Sequence, residues 1–410
     1  MGKRLVVEEA VADPSQGLAL IGGRGRRGEE EVRRERQEMR KKGQVFEVGY
    51  DKLVISVGCY LQTFGTPGVK EHAYFLKDVG DARKIRTRLL ECFELAALPT
   101  VREEQRRMLL TFGVIGGGPT GIEFAATLHD LIFQDLKHLY PDAIRLVKII
   151  VYDVSPKILS MFEAKLGQYA QETLAKENIE IRTSRKIIGI ERGFPGSGDD
   201  EVDLKSGLTL KVEGEPDLGV GMCVWSTGLA QNPFIAKSLQ KLREVPSDGS
   251  IAIHAANRSD EASTEWTICQ DKKTGSILTD HQLRVMLEPR QNQQSDGKEG
   301  QDGTQAVLRD VFAMGDCAVM HDTSYPATAQ VASQKAYWLA KRLNKGDLEQ
   351  SSFEFNNLGT MAYLGSSSGI VQGGKGFGNL QGRLAWLAWK GVYLTKTLSW
   401  RNKILLPIYW

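Results

Sequence analysis

No apolar run in this 410-residue chain reaches the ~18 residues that crossing a bilayer requires, so a membrane-spanning helix is not expected. Cysteine is sparse. Cys59, Cys92, Cys223, Cys269 and Cys317 are odd in number and scattered, with no C-x-x-C. That pattern argues against a disulfide scaffold, a zinc site and a dithiol reductase. The six histidines are equally dispersed and form no metal cluster. An excess of one charge is also lacking: 53 basic and 51 acidic side chains leave +2, which gives no ground for a nucleic-acid partner. The N-terminus carries no signal-peptide pattern, and its acids are at odds with a mitochondrial presequence.

What is present is a glycine loop in a telling place. Gly116-Gly117-Gly118-Pro119-Thr120-Gly121 follows an apolar run, Met108 to Ile115, that reads as a buried strand. It precedes Ile122 to Leu128, which reads as a helix. This is G-x-G-x-x-G in the strand-turn-helix setting that a dinucleotide site requires. Gly116 allows the tight turn, Gly118 lets the backbone approach a pyrophosphate, and Gly121 lets the helix pack close to the strand. The free N–H groups at the helix start then face the phosphate oxygens. Val147 to Asp153 reads as the next strand and ends in an acid. A carboxylate there accepts hydrogen bonds from an adenosine ribose and repels a 2′-phosphate. The gap from the loop exceeds the usual spacing of about 20 residues, with His129 to Arg145 read as an extended helix and loop.

A second literal match, Gly23-Arg24-Gly25-Arg26-Arg27-Gly28, is rejected. The segment after it, Glu29 to Lys42, is almost entirely charged. A helix lying on a sheet must bury an apolar face, so this stretch reads as a solvated loop or surface helix.

The length supports two or three domains. Val45 to Tyr50 and Leu53 to Gly58 look like a hairpin whose second strand is buried. Asp78 to Leu98 reads as a helix with an apolar stripe at Ile85, Leu89, Leu90, Phe93 and Ala97. Gly221 to Gly228 reads as the closing strand of the nucleotide unit. The chain then turns polar, with Gly275 to Asp280 and Leu283 to Val285 ordered and Gln291 to Gln305 a solvated loop. The expected division is 1–110, 111–240, 241–306, 307–345 and 346–410.

Val311 to Ala318, containing Gly315-Asp316, resembles the late G-D motif of two-dinucleotide flavoprotein reductases. Together with the strand ending at Gly58, the loop at Gly116 and Trp225-Ser226-Thr227-Gly228, the order and spacing extend the resemblance. The whole chain is similar to the type II, non-proton-pumping NADH:quinone oxidoreductases of mitochondria, most like the fungal external enzymes. The stretches that carry this are Tyr50 to Gly80, Gly113 to Ala126, Phe312 to Leu343, and Gly382 onward.

The resemblance implies an α/β fold with two Rossmann-like dinucleotide-binding domains, binding FAD and NADH. It also implies that the first FAD-binding βαβ, roughly the first third of a relative, is missing here. It implies that Gly116, Gly118, Gly121, Asp153 and Gly228 serve NADH. Gly58, Gly315 and Asp316 serve the flavin, with Asp316 on the ribityl chain. Glu123 matches a glutamate near the nicotinamide–flavin junction; it reads equally as a first-turn acid favoured by the helix dipole. Ala329-Gln330-Val331-Ala332-Ser333-Gln334 matches a family helix by the flavin ring and quinone entrance. Gln330 and Gln334, i and i+4, share one face, which without the resemblance is an ordinary polar face. Tyr393 matches a tyrosine near the quinone tunnel.

The last segment interleaves Leu384, Trp386, Leu387, Trp389, Val392, Tyr393, Leu394, Leu398 and Trp400 with Arg383, Lys390, Lys396, Arg401 and Lys403. Aromatic residues beside basic ones suit a helix lying in a membrane interface. A helix packed on the domain or in a homodimer interface is the other reading. The implied activity is hydride transfer from NADH to FAD, with two electrons passed to ubiquinone. The implied location is the intermembrane-space face of the mitochondrial inner membrane, held peripherally. A flavin-free NADH-binding fragment without turnover, and a soluble flavin reductase with another acceptor, are the alternatives.

Overall fold

The computed structural model describes residues 4–8, 44–196, 207–235, 251–254, 266–289, 305–374, 376, 378–397 and 399–409. The rejected glycine repeat, the charged stretch after it and nearly all of Gln291 to Gln305 lie outside these. The chain divides into two compact units, Met1–Tyr60 with Ala230–Phe355, and Leu61–Leu229 with Asn356–Trp410.

The second unit is built on a five-stranded parallel sheet. In chain order its elements begin with β1 (Tyr74–Phe75), α1 (Val79–Ala97), α2 (Glu103–Leu109), β2 (Thr111–Ile115), α3 (Pro119–Asp130), β3 (Lys148–Tyr152), α4 (Ala164–Lys176) and β4 (Ile179–Arg182). A three-stranded antiparallel layer follows: β5 (Ile187–Arg192), β6 (Leu208–Val212) and β7 (Leu218–Val220). Then β8 (Met222–Trp225) returns to the main sheet. The sheet order is β1-β8-β2-β3-β4, so the strand expected to close the nucleotide unit pairs with the strand that opens it, Cys223 opposite Gly113. Strand β2 is buried at every position, as a sheet covered on both faces demands. It begins at Thr111, because Met108 and Leu109 belong to α2.

Helix α1 starts where the sequence expects. Asp78 caps it, accepting from Asp81 N at 2.9 Å, and Asp81 reaches back to the Asp78 N–H, a reciprocal arrangement that satisfies two otherwise orphaned donors. Its buried stripe is Ile85, Leu89, Cys92, Phe93 and Ala96, while Ala97 is exposed. On the same face Arg88 is 5% exposed. Its Nε and Nη2 donate to the Gly221 carbonyl at 3.0 and 2.8 Å. Gly221 in turn donates to Thr111 O at 2.9 Å, so one guanidinium ties α1 to the junction of β8 and β2.

The same unit holds the C-terminal region. It forms a meander of β9 (Gly359–Gly365), β10 (Ser368–Gly373) and β11 (Leu380–Gly382), then α5 (Arg383–Lys396) and α6 (Trp400–Tyr409). Ala362, Leu364 and Ile370 join the core that covers α3 and α4.

In the first unit the expected hairpin is not formed. Val45–Gly49 pairs antiparallel with Arg4–Glu8. Leu53–Ile55 instead lies parallel to Gln305–Ala313, Ile55 opposite Ala313. Only Ile55 of that strand is buried. Alternation alone does not choose a strand's partner; the long strand ending at Ala313 offers a parallel edge some 250 residues away in sequence, which local reading does not weigh. The same long strand pairs with Arg284–Pro289 and Ile251–His254, so parts of the polar stretch are strands of a seven-stranded sheet. The helix Ala329–Lys345 is capped by Thr328, whose Oγ1 accepts from Val331 N, and ends at Gly346 with φ 68°, the left-handed stop that glycine favours. It packs Leu339 on Phe312, Met314 and Phe353.

Replacing Arg88 with Ala removes both donors to the Gly221 carbonyl inside the core. The expected cost is about 2–3 kcal/mol, read as a lowered denaturant midpoint.

Candidate functional site

The glycine loop occupies the C-terminal end of β2, the edge at which parallel sheets bind ligands. Gly116 has φ 121°, a conformation open to glycine, and donates to Tyr152 O at 2.8 Å. At Gly121 an added Cβ would overlap the Gly116 carbonyl oxygen, so the first turn of α3 lies directly on the loop. Gly118 differs: nothing lies within 4 Å of its Cβ position. It is the residue before α3, with Pro119 at the first position and no side chain capping the helix start. The N–H groups of that turn therefore have neither an intrahelical partner nor a side-chain cap. An open, uncapped helix start above a glycine whose side faces empty space is the shape a pyrophosphate fills.

Asp153 stands at the end of β3 beside this loop. Its Oδ2 accepts from Gly117 N at 2.5 Å and its Oδ1 from Ser155 N at 2.6 Å. The carboxylate is thus fixed at the rim, where an adenosine ribose would meet it. Gly228 lies against Phe64 and Gln62. Its φ is 77°, and a Cβ there would lie 2.7 Å from Phe64 Cζ.

Glu123, half-buried on α3, has a partner set that the sequence does not reveal. Its Oε1 accepts from Tyr363 N and from Trp389 Nε1, both at 3.0 Å. Burial raises its carboxyl above the ordinary range, and those two hydrogen bonds oppose the rise. Trp389 stacks on Tyr363 at 5.3 Å and touches Tyr393 at 4.6 Å. Seven residues on from Glu123, Asp130 accepts from Tyr363 Oη at 2.5 Å and from Ser366 N at 3.1 Å. Burial pushes the Asp130 carboxyl up, but its hydrogen bonds prevail and hold it low. Glu123 and Tyr393 are therefore brought into one cluster. Trp389 was legible as one aromatic of a membrane-interface or packed helix, and Asp130 only as part of the extended helix and loop from His129 to Arg145.

In the first unit, the parallel pairing of Leu53–Ile55 with Gln305–Ala313 sets two turns side by side. Gly58 (φ 68°) follows one strand and Gly315 (φ 78°) the other, and neither has an atom within 4 Å of its Cβ position. Asp316 Oδ2 accepts from Cys59 Sγ at 3.4 Å. Cys317 Sγ donates to Met314 O at 3.2 Å and approaches Ile55 O at 3.7 Å, which locks the turns together. Two side-chain-free turns flanking a carboxylate fit the ribityl end of a flavin. Gln330 and Gln334 lie half-buried on the helix after this turn. They belong to the first unit and Tyr393 to the second. All five cysteines are buried and none forms a disulfide, and burial lifts Cys92, Cys223 and Cys269 to about 12, far from reactive thiolates.

A parallel sheet with a glycine loop and terminal acid in one unit, and paired glycine turns with an aspartate in the other, define a nicotinamide-dependent flavoprotein reductase. The pyridine nucleotide-disulphide oxidoreductase family profile matches residues 23–262. The profile of the NDH2 C-terminal domain matches residues 357–410. The chain belongs to this family, in its type II NADH dehydrogenase branch. A probable NADH dehydrogenase of Dictyostelium discoideum is 36% identical over 372 residues, covering 89% of this chain and 67% of the relative. An external NADH-ubiquinone oxidoreductase of Saccharomyces cerevisiae mitochondria is 31% identical over 397 residues, covering 89% and 62%. The NDH2 structure of Plasmodium falciparum with NADH matches with a TM-score of 0.67 at 22% identity, covering 88% of this chain and 77% of that one, which bears on the fold.

Two glycines in one loop separate ligand contact from folding. Gly118→Ala should leave the melting temperature within about 1 °C, because the side chain meets only open space. It should weaken NADH binding about tenfold or more by crowding the pyrophosphate. Gly121→Ala should lower stability itself, by about 2–4 kcal/mol. Thermal melting beside nucleotide titration distinguishes the two.

Proposed function

We propose that this chain passes hydride from NADH to bound FAD and two electrons onward to ubiquinone, without proton pumping. The observation that carries the reading is the pairing, within one family frame, of an open glycine loop with Asp153 and a side-chain-free turn with Asp316. The relatives named as NAD(P)H-ubiquinone oxidoreductases support the acceptor. FAD supplies the chemistry that joins a two-electron hydride donor to a quinone.

The chain's own residues supply the geometry. The first turn of α3 holds the pyrophosphate, and Asp153 takes the adenosine ribose, favouring NADH over its 2′-phosphorylated form. Gly58, Gly315 and Asp316 seat the ribityl chain. Gln330, Gln334 and Tyr393 are proposed to serve the quinone, and Glu123 the nicotinamide end. The proposed domain plan is 1–110 for the flavin side, 111–240 for NADH, 241–306 an insertion, 307–345 the returning flavin segment, and 346–410 the membrane-facing region.

The C-terminal helices favour a peripheral membrane site. Leu384, Leu387, Trp400, Ile404 and Ile408 are each more than half exposed. Lys390 lies 4.0 Å over the Trp386 ring and Lys403 4.9 Å over Trp400, pairs suited to the headgroup layer. Among the described residues no helix is long and apolar enough to cross a membrane. The mitochondrial relatives support the inner membrane, and we assign the intermembrane-space face and a homodimer as parts of this proposal.

The absorption spectrum of the purified chain, before and after NADH, tests the redox reading. A flavin band that bleaches with NADH is expected. No flavin band after refolding with FAD would instead make the chain a flavin-free nucleotide-binding protein. The double substitution Leu387→Glu, Ile404→Glu should reduce flotation with anionic vesicles about tenfold or more, since each removes an apolar contact and adds a repelled charge. Unchanged flotation would remove the membrane assignment.

A further inference from the structure

Helix α3 begins at the glycine loop and carries Glu123 and Asp130 two turns apart on one face. Both carboxylates are engaged by the C-terminal region. Glu123 receives the indole N–H of Trp389 and the backbone N–H of Tyr363. Asp130 receives the hydroxyl of Tyr363 and the N–H of Ser366. Tyr363 and Trp389 are stacked, so the two attachments form one assembly. Ala126, between them on α3, has its Cβ 3.6 Å from the Cβ position of Gly365, which brings β9 directly onto the helix.

The helix has no slack at its other end. Gly121 touches the Gly116 carbonyl so closely that no side chain fits. Glu123 lies only two residues further on, so a displacement of its side-chain anchor passes through a rigid turn to the loop. Small misplacements of a binding element weaken what it holds. Coupling between two positions on such an element is reciprocal.

We propose that Trp389 is a positioning residue for the nicotinamide-nucleotide site. Its indole N–H holds Glu123 and thereby sets the first turns of α3, so that α5 and the occupied glycine loop stabilise one another. This rests on the reading of Gly116 to Gly121 as the nucleotide loop.

The test uses the full chain with its flavin, and NAD⁺ as the probe, so that binding is read without turnover. Trp389→Phe keeps the ring and removes the N–H. It should raise the NAD⁺ dissociation constant about three- to tenfold with a melting temperature within about 2 °C of the parent. In the parent, NAD⁺ should slow amide exchange across residues 383–396, and Trp389→Phe should abolish that protection. Glu123→Ala, which removes the oxygen that accepts both hydrogen bonds, should match Trp389→Phe. Parent-like NAD⁺ affinity in Trp389→Phe, or no protection of 383–396 in the parent, overturns the proposal. Parent-like affinity in Glu123→Ala also overturns it. A parent chain that binds no NAD⁺ at all defeats the nucleotide reading itself, a result distinct from the others.

Discussion

The contact between Gly121 and the Gly116 carbonyl is the constraint around which the second unit is arranged. It fixes α3 against the end of β2 and leaves the helix's first N–H groups facing outward. It also determines where every other group on α3 falls. Ile122, Ala125 and Ala126 go into the core, while Glu123 and Asp130 meet the C-terminal meander. A bulkier residue at Gly121 would move the helix, and with it the phosphate site and both carboxylate attachments.

Charge is used sparingly inside this unit, and Arg88, Asp153 and Glu123 are each engaged. Arg88 spends its guanidinium on a carbonyl at the junction of two strands, where an unpaired donor would be costly. Asp153 closes on the loop it follows. Glu123 is the least comfortable of the set, since burial works against its charge. It is kept because two donors converge on one oxygen. An amide in its place would satisfy the same donors, so the carboxylate is not demanded by packing alone.

The first unit solves a related problem with less material. Two parallel strands place their terminal turns together, and glycine at both turns keeps the space beyond the strand ends free of side chains. Asp316 then stands at the head of the second turn with Cys59 as its neighbour. That thiol is a packing and hydrogen-bonding group, and no disulfide joins the five cysteines of this chain.

Much of the framework of the candidate nucleotide site was legible in the residues themselves. The loop, the strands around it, the acid at Asp153 and the capped helix after Asp78 each depend on local requirements: backbone angles open to glycine, orphaned N–H groups, apolar spacing. The role of the G-D turn and the flavin came from the family resemblance that the order of these motifs carries. What the sequence left open was pairing across distance. Leu53–Ile55 took the strand before Ala313 as its partner in place of its neighbour, and parts of the polar stretch became strands of the same sheet. Glu123 found donors 240 and 266 residues away, on a strand that carries no motif and a helix whose aromatic residues left a membrane interface and domain packing both open. Local chemistry is written at adjacent positions and survives without the fold. A hydrogen bond between distant segments exists only once the sheet, the meander and the helix have been packed together, and only the tertiary structure decides it.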